Sequence, residues 1–130
     1  MKRKLATVAL AALLAGGFVA TAANPAAAAG GGCNNKSQNG WSIGTCQADD
    51  GVYVYPDFYI NAKPSTPSTC KAYSRVKDLN TGTYTPWFGY TCTTGRKWGA
   101  YRVPKVAGHS YQHQVEIHTP YFYGTSPTTY

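Results

Sequence analysis

The sequence predicts an all-β domain: a small antiparallel β-sandwich or barrel of about six to seven strands with two disulfides, preceded by a cleaved signal peptide. Three observations predict it. Short runs alternate apolar with polar residues, turn residues interrupt those runs, and four cysteines lie in a chain of 130 residues. Beyond residue 30 no stretch keeps apolar residues at i, i+3, i+4 and i+7 long enough for a helix.

Residues 1–29 read as an export signal. Lys2, Arg3 and Lys4 form a cationic start, residues 5–19 an apolar core, and Asn24-Pro25 a break before the small-residue run 26–29. The mature chain is then the single domain 30–130, exported to the extracellular space and without a membrane span. The whole chain carries a formal charge of +7, but removing the three cationic residues leaves 9 basic against 5 acidic side chains, a net +4. That balance does not mark a nucleic-acid binder, and the length excludes a multidomain enzyme or a multi-span membrane protein.

The strand runs follow in order. Val52 and Val54 share one face and Tyr53 and Tyr55 the other; Phe58 and Ile60 alternate with Asp57 and Tyr59. Tyr73, Arg75 and Lys77 alternate with Ala72, Ser74 and Val76. Tyr111, His113, Val115 and Ile117 alternate with Gln112, Gln114, Glu116 and His118. Turn compositions at 49–51, 63–68, 80–82, 94–96 and 107–109 bound these runs. The segment 119–130, with Pro120, Gly124 and Pro127, reads as an extended C-terminal tail.

Cys33, Cys46, Cys70 and Cys92 all follow the export signal, so two disulfides are expected from three possible pairings. Cys70 and Cys92 lie symmetrically about Thr81 in the turn signal Asn80-Thr81-Gly82, between strand-like runs 70–79 and 83–92. A hairpin centred there sets Cys70 against Cys92. Cys33–Cys46 then follows by elimination, closing a loop around Asn39-Gly40-Trp41. A zinc site is disfavoured because spacings of 13, 24 and 22 residues contain no C-x-x-C pair.

No metal or cofactor is expected. On a strand rising about 3.3 Å per residue, His109 and His113 stand roughly 13 Å apart, and His118 points to the opposite face. They read as surface or interface histidines, which makes His113→Ala a mild change. Of the five carboxylates, Asp49, Asp50 and Asp78 sit in turn compositions. A ribonuclease is a minor alternative, with Glu116 as base, His113 or His118 as acid and Arg102 on phosphate. A protease inhibitor is another, with the loop 63–68 as its probe.

The aromatic content stands out, because all 11 tyrosines and all three tryptophans follow the export signal. Trp41, Phe58, Trp87 and Phe88 are candidate core residues. A domain of 101 residues does not bury all of the rest, so several tyrosines belong on its surface. Arg96, Lys97, Arg102 and Lys105 gather around Trp98 and Tyr101 in sequence, and four charges without a nucleic-acid motif read as a solvated face. The candidate binding residues are Trp98, Tyr101, Arg96, Arg102, Tyr121 and Tyr123.

Gly44-Thr45-Cys46, Gly51-Val52-Tyr53-Val54-Tyr55-Pro56, the Cys70 to Cys92 hairpin and the run 102–111 resemble small secreted bacterial two-disulfide β-proteins. Among these, the chain is similar to the small adaptor subunit of secreted antibacterial umbrella-shaped toxin particles. That resemblance implies a non-catalytic subunit linking a lectin-bearing, protease-like subunit to the repeat domain of a large toxin. The expected function is therefore protein binding as an adaptor or accessory subunit, with other secreted proteins as partners. Binding to cell-wall or other polysaccharide, as an antimicrobial protein, is the alternative.

Overall fold

The computed structural model describes residues 31–98 and 101–130, so the export signal expected at 1–29 lies outside the described residues. Among them, nine strands form two antiparallel sheets. Sheet one runs β1 (Gly32–Gln38), β2 (Trp41–Asp49), β3 (Tyr53–Ala62), β6 (Gly95–Trp98), with β7 (Val103–Pro104) also on β3. Sheet two runs β5 (Phe88–Thr91), β4 (Lys71–Asp78), β8 (Tyr111–His118), β9 (Tyr121–Thr125). Six strands have five residues or more, within the expected count; β5, β6 and β7 are short additions.

The two sheets pack face to face because alternation gives each an apolar side. Trp41, Ile43, Phe58 and Ile60 from sheet one meet Ala72, Val115, Ile117 and Phe122 from sheet two. Burying a side chain of the Ile or Phe kind contributes roughly 1.5–3 kcal/mol. Trp41 also donates its indole N–H to the Pro120 carbonyl at 2.9 Å. Toward the other end Val54, Val76 and Tyr111 form a smaller cluster. Polar side chains fill the space beside it. Gln47 Nε2 donates to the Tyr111 carbonyl at 2.9 Å and to Thr129 Oγ1 at 2.7 Å.

Both expected disulfides form. Cys33 and Cys46 are direct cross-strand partners in the β1–β2 ladder, and Cys70 joins Cys92 beside the β4–β5 ladder. The Cys33–Cys46 segment is a hairpin rather than a loop, turned by Asn39 and Gly40 at φ 51° and 83°. Asn-Gly is the pair that accepts two consecutive positive φ values without strain.

The 119–130 segment is extended but docked. Residues 121–125 are β9, and Thr129 pairs with Tyr111 through hydrogen bonds of 3.0 Å in both directions. β9 ends sheet two, yet its outward backbone is covered by side chains of the β1 hairpin. Asn34 Nδ2 donates to the Thr125 carbonyl at 3.0 Å, Lys36 Nζ to that of Tyr123 at 2.8 Å, and Asn39 Nδ2 to that of Tyr121 at 2.8 Å. The Tyr123 N–H donates to Gln38 Oε1 at 3.2 Å. β1 is polar because its inward positions pair with an open strand edge instead of an apolar core.

Candidate functional site

Alternation leaves both outer faces of the sandwich rich in aromatic rings. On sheet two, β4 turns Tyr73, Arg75 and Lys77 outward, opposite the buried Ala72, Ser74 and Val76. Beside them lie Gln114, Glu116 and His118 of β8, then Tyr121 and Tyr123 of β9. Burial pushes the Tyr123 hydroxyl above its ordinary pKa.

A bulge completes this face. Lys77 pairs with Tyr84 and Ser74 with Phe88, so the five residues 84–88 of one arm oppose the four residues 74–77 of the other. The extra residue lies at Thr85-Pro86. Thr85 substitutes its side chain for a ladder bond, its Oγ1 accepting the Val76 N–H at 3.0 Å, and Pro86 has no N–H to give. The shift in phase sends Phe88 inward and places both Tyr84 and Trp87 against Arg75. The Arg75 guanidinium carbon lies 3.8 Å from the Tyr84 ring centroid and 4.1 Å from that of Trp87. Its Nε donates to Gln114 Oε1 at 3.0 Å, and Gln114 is only 5% exposed.

Sheet one carries a second cluster. Arg96 and Trp98 of β6 stand beside Tyr59 and Asp57 of β3, with the guanidinium 5.6 Å from the Tyr59 ring and 5.1 Å from the Trp98 ring. Here the charge is neutralised within the chain, because Arg96 Nη2 and Nε each lie 2.8 Å from Asp57 Oδ2. Arg102 covers the Tyr53 ring at 4.2 Å. Tyr55 donates its hydroxyl to Asp50 at 2.5 Å; that bond raises the tyrosine pKa and lowers that of the carboxyl.

The six candidate binding residues thus divide among three places. Trp98, Arg96 and Arg102 lie on the sheet-one face, and Tyr121 and Tyr123 on the sheet-two face. Tyr101 is on neither. It stacks on Phe88 at 3.9 Å between centroids and its hydroxyl lies 3.1 Å from Ser74 Oγ, where burial pushes its pKa up to about 12. Phe88, expected in the core, faces inward against Tyr101 but is 37% exposed on the short β5 strand at the end of sheet two. Trp87, also expected in the core, is 39% exposed and belongs to the sheet-two face. The bulge is the reason, and Pro86 inside a strand-like run was the signal for it. Lys105 is not part of a solvated face. Its ammonium lies 2.7 Å from the fully buried Asp49 carboxylate and contacts the Tyr130 carbonyl.

The histidines occupy three different settings. His113 is fully buried, which corrects its reading as a surface residue. His109 Nδ1 lies 2.7 Å from Asp78 Oδ2 and holds that carboxyl below its ordinary range, while Asp78 Oδ1 accepts the Asn80 and Thr81 N–H groups that shape the hairpin turn. His118 Nε2 lies 3.4 Å from Glu116 Oε1 on the sheet-two face. Arg102 is on the opposite sheet, so Glu116, a histidine and Arg102 do not converge on one phosphate. Ser74 and His113 are paired, but both are buried and out of reach of a substrate. Among the described residues, no group of three His, Cys, Asp or Glu side chains is placed to hold a metal ion.

One depression of about 210 Å³, lined by Pro67, Thr69, Lys71, Tyr73 and His118, borders the sheet-two face. Small-molecule sites run to about 300–1,000 Å³, so this depression is below that range. Compared with known proteins, the chain matches no family model, no curated protein and no solved structure.

Proposed function

We propose that the chain is a secreted, non-catalytic protein-binding module, acting as an adaptor or accessory subunit of a secreted antibacterial protein assembly. The observation that carries this reading is the pair of opposite outer faces, each of which sets an arginine against one tryptophan and one tyrosine. Trp, Tyr and Arg are the residues that dominate protein–protein binding energies. Two such faces on opposite sides of a disulfide-tied sandwich suit a subunit that holds two partners at once. The two disulfides fit export to an oxidising compartment. The resemblance to the adaptor subunit of umbrella toxin particles points the same way.

Polysaccharide binding has one observation in its favour: Trp98 is 71% exposed beside Tyr59. Sugar stacking needs free ring faces, whereas Arg75 fills the space between Tyr84 and Trp87, which favours a protein partner on sheet two. The test is to recover the tagged mature protein from culture fluid of its producing cell and analyse it by native sizing and mass spectrometry. A stoichiometric complex with other secreted proteins is expected. A lone species at the monomer mass overturns the adaptor reading and favours polysaccharide binding.

A further inference from the structure

The charges of the sheet-two face define the chemistry of its partner, an inference that rests on the protein-binding reading above. The chain has five acidic side chains, and none of them forms an ion pair with Arg75. Asp49 pairs with Lys105, Asp57 with Arg96, Asp78 with His109 and Glu116 with His118. Asp50 accepts the N–H groups of Val52 and Tyr53 and the hydroxyl of Tyr55. Arg96, in a similar aromatic setting on the other face, has its own carboxylate, and Arg75 does not.

We propose that Arg75 is the receptor for a carboxylate, an Asp or Glu side chain presented by an acidic segment of a partner protein. Tyr84 and Trp87 fix the guanidinium plane and Gln114 holds Nε, which leaves the Nη groups to take the two carboxylate oxygens as a fork. Ordering this side chain before binding removes an entropy cost that a free arginine meets on association. Lys77 lies 5.3 Å from the Tyr84 ring on the same face and adds positive charge. Glu116, the only acidic side chain there, already lies beside His118. An acidic protein segment complements this balance. A neutral sugar leaves the guanidinium without a counter-charge, and phosphate, which the same fork also accepts, is the competing anion that the test separates from a carboxylate.

The test uses the disulfide-bonded mature protein, isotope-labelled for NMR. It is titrated with acetyl-Ala-Glu-Ala-Asp-Ala-amide, with the Gln/Asn version of that peptide, and with inorganic phosphate at matched ionic strength. The acidic peptide should shift the Arg75 Nε–H and Trp87 indole resonances more than either control, and more than it shifts those of Arg96 and Trp98. Arg75→Lys, which keeps the charge and loses the fork, should weaken the effect at least tenfold with its thermal midpoint maintained. Equal shifts from the Gln/Asn peptide, larger shifts from phosphate, or full binding by Arg75→Lys overturns the proposal. If the chain is recovered alone from culture fluid while the acidic peptide still shifts Arg75, the adaptor reading fails and the carboxylate site stands. If the complex forms and Arg75→Lys leaves it intact, the adaptor reading stands and the carboxylate site fails.

Discussion

His113 Nε2 lies 2.6 Å from Ser74 Oγ between the two sheets, the centre of a buried chain of hydrogen bonds. His113 Nδ1 is 2.7 Å from the Cys46 carbonyl, which only accepts, so the proton is on Nδ1 and Nε2 accepts from Ser74. Ser74 Oγ then accepts from the Tyr101 hydroxyl at 3.1 Å. A neutral imidazole satisfies every partner and links β2, β4 and β8 in one contact.

Burial lowers the His113 pKa from 6.5 to about 4. The unfolded chain binds this proton near pH 6.5 and the folded chain only near 4, so acid favours unfolding between the two values. Stability from this group is therefore full above about pH 6.5 and is lost as pH falls toward 4, by roughly 3 kcal/mol in total. Thermal melts from pH 7 to pH 4 should show this decline, and His113→Gln should flatten it. A wild-type midpoint that does not change across that window contradicts a neutral buried imidazole.

His113→Ala is accordingly not the mild change that spacing alone implies. It opens a cavity beside Phe58, removes the acceptor of the Ser74 O–H and the His113 donor to the Cys46 carbonyl, and leaving a buried polar group unsatisfied costs about 1–3 kcal/mol. Chemical denaturation should place the loss at roughly 3 kcal/mol or more. A loss within experimental error of zero removes the network from the account of stability.

Lys105 and Asp49 give a sharper case. The Asp49 carboxylate has no exposed surface and also accepts the Gly51 N–H at 2.5 Å. Lys105→Met leaves that charge buried without its counter-ion, a loss of about 3–5 kcal/mol. Adding Asp49→Asn removes the charge itself and should restore most of the stability. Denaturation midpoints of the two single variants and the double variant decide it, and additive losses exclude the pairing as the cause.

How much of this was legible in the sequence depends on what each strand buries. β3, β4 and β8 bury Val, Ile, Phe and Ala on one face, so their alternation reads directly, and with it the outward direction of Arg75 and Glu116. β2 buries Thr45, Gln47 and Asp49 beyond Ile43, and β1 faces a strand edge, so neither shows an apolar period. Asn39-Gly40 was the available signal for that hairpin. The site itself was only half legible, because one inserted residue at Thr85-Pro86 decides which rings surround Arg75, and alternation cannot report its own interruption.

The cover over β9 predicts a loss of protection without a loss of fold. Asn34, Lys36 and Asn39 each contribute one exposed bond to the β9 backbone, about 0.5–1.5 kcal/mol apiece. Replacing Asn34 and Lys36 with Ala and Asn39 with Gly, which keeps the positive φ of the turn, should accelerate amide exchange in residues 121–125 and promote association at high concentration through the uncovered edge. Unchanged exchange there, with the triple variant still monomeric, means that the apolar anchoring of Phe122 alone secures the strand.

The Cys70–Cys92 bridge supports the arm that carries Tyr84 and Trp87. It closes a loop spanning 22 positions, and tying such a loop contributes about 3 kcal/mol, chiefly by restricting the unfolded chain. β5 has only four residues and one sheet neighbour, β4, so the bridge also fixes the β5 end of the segment from Tyr84 to Phe88. The Cys70→Ser, Cys92→Ser double variant should melt well below wild type, and its Trp87 indole resonance should move toward the free-tryptophan position as the ring leaves Arg75. A lower midpoint with the Trp87 resonance unmoved assigns the bridge to stability alone. An equal midpoint rejects the bridge as a stabilising tie.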